Sequence, residues 1–254
     1  MKLLLKAFLV LLFIFSFNIS SFAEEVKTIS IVTPEWENQT NKDGSGFFFD
    51  IIRSVYNPFG IKLKYKIVPW KRAEHLVATN KADAMLCVAI QNIGKQLAPK
   101  YPMAADYTVA VFKRDKIKDW KGIESLTNKS SAWLLGYDFH MNPHMKNIKL
   151  KEWNEITDYK NAWHRLEKGR LDVYMDAYVD VKHYIKNNKI DMSSFQIENL
   201  WEDKYFISFA ISDHSKKLIE IYDDQIIKLV ESGELQKLFE KWDIYPFSQH
   251  FWDK

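Results

Sequence analysis

Residues 80–86 read Asn-Lys-Ala-Asp-Ala-Met-Leu, and residues 169–175 read Gly-Arg-Leu-Asp-Val-Tyr-Met. In each phrase a residue suited to left-handed backbone is followed by a cation, an apolar residue, an Asp and an apolar run. Each also follows an amphipathic stretch with a Trp-x-Arg step, Trp70 and Arg72 in the first copy and Trp163 and Arg165 in the second. Asn and Gly close helices because they adopt positive φ at little cost. The apolar run at 84–90 suits a strand covered on both faces, and 172–175 predicts its counterpart. The phrase is therefore a helix that stops, turns and enters a buried strand, built once in each half of the chain. Two similar α/β halves imply a cleft between them, where small-molecule sites are commonly found.

Outward from the first copy, residues 28–33 are β-branched and predict a strand, which Pro34 ends. A polar loop holding Asp43, Gly44, Ser45 and Gly46 follows. Residues 47–56 place Phe48, Ile51, Ile52 and Val55 on one helical face. Residues 61–68 alternate like a strand, and Pro69 opens the next helix, where a missing N–H has no partner to lose. With the strand at 84–90 this makes β-α-β-α-β, the order of a parallel sheet. A strand at 107–112 and a charged surface crossing at 113–121 lead into the second half. There strands at 131–135, 148–153 and 172–175 accompany a helix capped by Asp158, with Tyr159, Ala162, Trp163 and Leu166 at core spacing. A helix at 178–187 follows. A strand at 205–211 returns the chain to the first half, where helices at 214–231 and 234–242 complete it. The expected architecture is α/β: a first lobe of 24–112 and 205–254, a second lobe of 113–204 inserted into it, and two hinge crossings. Each lobe is a mainly parallel sheet flanked by helices.

The chain opens with Met1, Lys2 and Lys6 around an apolar run to Phe17, then Ser21-Phe22-Ala23. A positive start, an apolar middle and small residues at −3 and −1 predict a secretory signal of residues 1–23, cleaved before Glu24. The apolar run is shorter than the roughly 20 residues a membrane-spanning helix needs. The one cysteine, Cys87, lies far from that site, so neither a lipid anchor there nor an intrachain disulfide is available. An exported chain without an anchor points to the periplasm of a two-membrane bacterium, and Cys87 itself reads as a small buried hydrophobe. The full chain carries +3, two of its lysines lie in the signal, and the remainder is close to neutral. No basic excess suggests nucleic acid.

No Gly-x-Ser-x-Gly, His-Glu-x-x-His or phosphate loop is present, so no catalytic motif is identified. His140, Met141, His144 and Met145 offer soft metal ligands, but Pro143 breaks the helix that would align the imidazoles, and a polar surface loop is the expected reading. No cofactor or metal is expected. In open α/β sheets ligands bind beyond the carboxyl ends of strands. Trp36 and Glu37 follow the first strand there, as a stacking wall or as a loop packed on its own lobe. Trp70 and Arg72 open a helix at the same edge, where Arg suits a planar anion. Gly136, Tyr137 and Asp138 follow the second lobe's first strand, either as an anion-holding loop or as an ordinary turn. Asp83 and Asp172 sit at the opposite edge and are expected to bond the N–H groups of their own turns. Asp176 ends its strand at the cleft edge, to meet a ligand ammonium or to cap the next helix.

Taken together, Gly46-Phe-Phe-Phe-Asp50, Pro69-Trp70-Lys-Arg72, Gly169-Arg170-Leu171-Asp172 and Gly233-Glu-Leu-Gln-Lys-Leu-Phe-Glu-Lys-Trp242 resemble the bacterial extracellular solute-binding proteins, family 3. The resemblance covers essentially the whole mature chain. It implies the type II periplasmic binding protein fold, a small polar ligand such as an amino acid, an inner-membrane ABC permease as partner, and a monomer. Two positions depart from the pattern. Where amino-acid binders of the family carry Thr-x-x-Arg to clamp the α-carboxylate, this chain has Gln91-Asn92-Ile93-Gly94-Lys95. Where they place an ammonium-binding Asp, it has Ala177, with Asp176 one residue earlier. A one-residue step on a strand turns a side chain to the other face. The expected ligand-contacting residues are Trp36, Glu37, Trp70, Arg72, Gln91, Tyr107, Tyr137 and Asp176. The alternatives are a dehydratase-like enzyme on the same scaffold using Asp176 or Glu37, a sensing module, and a metal carrier using the 140–145 loop.

Overall fold

The computed structural model describes residues 26–244 and Trp252; the expected signal segment and its cleavage site lie outside them. Among the described residues eight strands form: β1 Thr28–Thr33, β2 Lys62–Ile67, β3 Ala84–Ala89, β4 Ala104–Lys113, β5 Ser130–Leu134, β6 Glu152–Ile156, β7 Val173–Ala177 and β8 Phe195–Phe209. Six α-helices accompany them: α1 Phe47–Tyr56, α2 Trp70–Ala78, α3 Tyr159–Glu167, α4 Tyr178–Asn188, α5 Asp213–Glu231 and α6 Glu234–Lys241. The strands join in the order β2-β1-β3-β8-β4-β7-β5-β6. Within each half three strands are parallel, β2-β1-β3 in one and β6-β5-β7 in the other. Between these trios run β8 and β4, antiparallel to each other and to their outer neighbours.

That central pair corrects the expected boundaries. β4 starts at Ala104, and its Thr108–Phe112 segment pairs with Ala177–Val173 of β7, so these residues belong with the second trio rather than closing the first lobe at 112. β8 begins ten residues before the expected strand at 205–211. Its early part pairs only with β4, and Tyr205 to Phe209 pairs with β3. The chain thus passes between lobes inside two paired strands, and the charged 113–121 segment is not the crossing. Each strand satisfies the other's N–H and C=O groups, which an isolated crossing would leave to water. The polar run through Gln196, Glu198 and Asn199 hid this strand, because its side chains give little apolar alternation. The strand expected at 148–153 instead occupies Glu152–Ile156, where parallel pairing with β5 sets the register.

Both faces of each trio are covered. Phe47, Phe48, Phe49, Ile51, Ile52, Val55 and Tyr56 are all buried, so α1 is packed nearly all round, against α5, α6 and the first sheet. Full burial of such a side chain stabilises by about 1.5–3 kcal/mol relative to exposure. Gly46 starts α1 at φ +130, and a Cβ there would stand 2.3 Å from the Gln39 carbonyl oxygen. Only glycine allows the preceding loop to fold onto itself, and that loop carries Trp36 and Gln39. In the second lobe Trp163 and Leu166 of α3 pack with Val109, Val111 and Tyr174, while Trp133, Met145 and Trp201 fill the other face.

The doubled phrase resolves into a doubled latch. Asp83 Oδ2 accepts from the backbone N–H and the hydroxyl of Ser30, each at 2.7 Å, and Asp83 N–H donates to Ser30 Oγ at 3.0 Å. Asp172 repeats this with Ser130 at 3.0, 3.0 and 2.9 Å. The expectation that these carboxylates bond their own turns is corrected: each ties its strand to the first strand of its lobe. The reason is that Ser30, the third residue of β1, and Ser130, the first of β5, each turn an N–H and a hydroxyl toward the start of the neighbouring strand. Replacing Asp83 or Asp172 by Ala leaves a serine N–H and hydroxyl without their acceptor. Each change is expected to cost about 2 kcal/mol, read as a lower denaturant midpoint, and the double variant should be additive. Ligand affinity should not change.

Candidate functional site

Where the two lobes face each other they enclose a cavity of about 80 Å³. Its walls come from the loop after β1 (Trp36, Gln39), the start of α2 (Trp70), the end of β3 (Cys87, Ala89, Gln91), the hinge strands (Asp106, Asp203, Tyr205) and the second lobe (Gly136, Tyr137, Phe139, Ala177, Asp180). The lobes touch around it. Trp36 Nε1 donates to the Tyr137 hydroxyl at 3.2 Å, Gln39 Nε2 to Asp180 Oδ1 at 2.7 Å, and Lys71 Nζ to Asp138 Oδ2 at 2.8 Å. Farther out, Asn187 Nδ2 donates to Glu37 Oε1 at 2.8 Å, and Lys182 and Lys186 each reach the Asp243 carboxylate at 3.0 Å. This is a closed arrangement.

Four of the eight expected contact residues line the cavity: Trp36, Trp70, Gln91 and Tyr137. Trp36 is buried, and its ring meets Trp70 edge-on at 6.0 Å, while Trp70 meets Tyr137 at 6.5 Å. The other four do not line it. Glu37 is exposed and held by Asn187 at the rim. Arg72 is exposed on the outer side of the first turn of α2. Tyr107 packs against the second lobe's core, because alternation along β4 turns it away from its cavity-lining neighbour Asp106. Asp176 is 0% exposed; its carboxylate accepts from the Tyr174 hydroxyl and from the Ala177 N–H. The same alternation sends Ala177 to the cavity and Asp176 behind it. Nor does Asp176 cap α4: Asp106 reaches over from β4 to accept from the Val179 N–H at 3.0 Å.

Three acidic residues that the sequence reading passed over stand in the walls: Asp106, Asp180 and Asp203. Asp106 and Asp203 are direct partners on β4 and β8. Asp203 accepts from Gln91 Nε2 at 3.1 Å, the Thr108 hydroxyl at 3.0 Å and Trp201 Nε1 at 2.6 Å. Asp106 accepts from the Tyr107 and Val179 N–H groups. The one signal available was position: an Asp directly before a buried strand, and another beside the return crossing. Burial raises Asp106 to about 7, with its backbone hydrogen bonds opposing and the Asp176 and Asp203 charges adding to the rise. Burial also raises Asp176 to about 7. Asp180 is raised well above the ordinary carboxyl range by burial first, then by Asp176 and Asp106.

Other expectations also meet their outcome here. The 136–138 loop does not offer its first N–H groups to an anion: Gly136 N–H donates to Glu155 Oε1 and Tyr137 N–H to the Leu134 carbonyl. Cys87 is not simply core; it lines the cavity at φ +61, at the bulge between Met85 and Val88 where β3 pairs with β8. The imidazoles of the 140–145 loop lie on different rings, His140 on Trp153 at 4.1 Å and His144 on Trp201 at 5.6 Å. Among the described residues no group of three or more His, Cys, Asp or Glu is placed to hold a metal.

Two α/β lobes joined by paired hinge strands and closed on a cavity between them define the type II periplasmic binding architecture. Residues 32–244 match the bacterial extracellular solute-binding proteins, family 3, and the chain belongs to that family. Among solved structures, one is a substrate-binding protein of an ABC uptake transporter from Streptococcus pneumoniae with bound histidine. It shows a TM-score of 0.70 and 20% identity, over 89% of this chain and 96% of the other. A second, described in connection with glutathione import in Streptococcus mutans, shows a TM-score of 0.71 and 19% identity, over 89% and 99%. A third is an ancestral amino-acid-binding protein described as a precursor of cyclohexadienyl dehydratase, with a TM-score of 0.66 and 17% identity, over 85% and 95%. No curated protein sequence matches the chain.

Two outcomes follow from the geometry. A carboxyl whose folded pKa is raised stabilises the fold fully below its unfolded value and ceases to do so as pH rises through the folded value. The ligand-free protein is therefore expected to lose stability between about pH 4 and about pH 7, read as a falling melting temperature, and Asp106→Asn should flatten that decline. Gly136 sits at φ +92, and an added Cβ would lie 3.2 Å from Trp70 Cδ1 across the cleft. Gly136→Ala should strain the turn by about 1–3 kcal/mol and, because Trp70 belongs to the other lobe, weaken ligand binding beyond that loss of stability.

Proposed function

We propose that this protein is a periplasmic receptor of an ABC importer. It captures a small polar solute, an amino acid or a related compound, between its lobes and presents the closed form to an inner-membrane permease. The observation that supports this most is the origin of the cavity walls. Trp36, Gln39 and Trp70 come from one lobe and Tyr137, Phe139 and Asp180 from the other, so a bound solute bridges groups that meet only on closure. Occupancy then shifts the population between open and closed forms, and a permease that recognises the closed shape reads out the solute. In this reading the protein acts as a monomer and performs no covalent step.

A second reading rests on Asp106. A cavity carboxyl raised to about 7 is suited to general acid–base work, and one solved neighbour is described as a dehydratase precursor. Melting of the mature protein against a broad panel of small solutes separates the readings. The receptor reading expects one solute class to stabilise the fold by about 2.7 kcal/mol at a hundredfold excess over its dissociation constant. Mass spectrometry should recover that solute unchanged. Its steady conversion, lost in Asp106→Asn, would establish the enzyme instead; a panel without any stabilising solute rejects the receptor.

A further inference from the structure

The charge balance of the cavity is one-sided. Among the described residues Asp106, Asp138, Asp180 and Asp203 stand in its walls, and no Lys, Arg or His does so. Lys71 of α2, not itself a wall residue, pairs its ammonium with the wall's Asp138 at 2.8 Å and with Glu74 at 3.4 Å, so its charge is already matched by those two carboxylates. Asp106 and Asp203, 6% and 7% exposed, lie directly opposite each other on β4 and β8. Two carboxyls opposed on a ladder repel when both ionise, and a buried one ionises at a cost unless a counter-charge stands beside it; without such a cation Asp106 keeps its proton to about pH 7. The groups that hold these carboxylates, namely Gln91, Thr108, Trp201 and two backbone N–H groups, fix their direction but bring no positive charge. A local conflict of this kind inside a binding cleft marks the place where a ligand supplies what the chain omits.

The remaining walls agree. Trp36, Trp70 and Tyr137 meet edge to face around the cavity, and aromatic faces attract a cation, more strongly when water is excluded. The backbone donors that could have held an anion at the second lobe's strand ends are taken: the Gly136 and Tyr137 N–H groups bond Glu155 and Leu134, and the N–H of Val179 at the start of α4 is held by Asp106. We propose that the solute is a small organic cation without a carboxylate, its positive nitrogen held among Asp106, Asp180 and Asp203 and its carbon body packed on Trp36, Trp70 and Tyr137. This assignment rests on the receptor reading and narrows its ligand class.

Calorimetric titration of the mature protein with matched pairs tests it. Agmatine is compared with L-arginine, and cadaverine with L-lysine; choline serves as a quaternary probe and L-glutamate as an acidic one. At least one carboxylate-free cation should bind, ten times or more tighter than its matched amino acid where it has one. Asp203→Asn and Asp180→Asn should each weaken it tenfold or more. Asp180→Asn keeps an oxygen for Gln39 and guards against a folding defect, which circular dichroism checks directly. If an amino acid binds more tightly than its carboxylate-free partner, if L-glutamate binds best, or if neither substitution matters, the cation assignment fails while the receptor reading stands. If no solute of any charge binds here or in the broad panel, both fail.

Discussion

The antiparallel pairing of β4 with β8 is the constraint on which the rest depends. Ten residues of β4 find partners along β8, from Ala104 with Tyr205 to Lys113 with Phe195, interrupted by one irregularity at Thr108 and Val109. The ladder joins two parallel trios into one sheet, so the lobes cannot separate without unpairing backbone groups, yet among the described residues only two strands connect them. It also sets the cleft's chemistry. The register puts Asp106 opposite Asp203, and alternation along β4 turns Asp106 to the cavity while Tyr107 packs against the second lobe. A slip of one residue would exchange those faces and remove the acidic wall.

Each lobe is tied at its far edge by the same device. Ser30 with Asp83 and Ser130 with Asp172 make matched sets of three hydrogen bonds. The latches lie away from the cleft, so the corners they hold can be alike in both halves. The cleft edges differ: Cys87 within β3 and Gln91 just after it stand on one side, while Ala177 at the end of β7 and Asp180 after it stand on the other. The duplicated parts are the scaffold, and the distinct parts face the cavity.

Much of the scaffold was legible because it is local. β1, α1 and the αL corners at Asn80 and Gly169 follow from side-chain branching, apolar spacing and positive φ. Asp158 caps α3 through the Asn161 N–H at 2.7 Å. The site was less legible. Trp36, Trp70, Gln91 and Tyr137 were reached by asking what lies beyond the carboxyl ends of strands. Arg72 lies outside the cavity because the helix that opens at the cleft turns its third residue outward, and Asp176 lies behind the wall because its strand faces the other way at that position. Asp106 and Asp203 offered only their position beside strands, a weak signal because an acidic residue there is ordinarily solvent-exposed.

The sequence by itself determined the α/β grammar, the division into two similar lobes and the family, because each of these is written in spacing within a few tens of residues. Only the tertiary structure decided which acids face the cavity, which serines receive Asp83 and Asp172, and where the chain passes between lobes. Those outcomes depend on pairing between residues about 40 to 100 positions apart, and strand register is a property of two segments together.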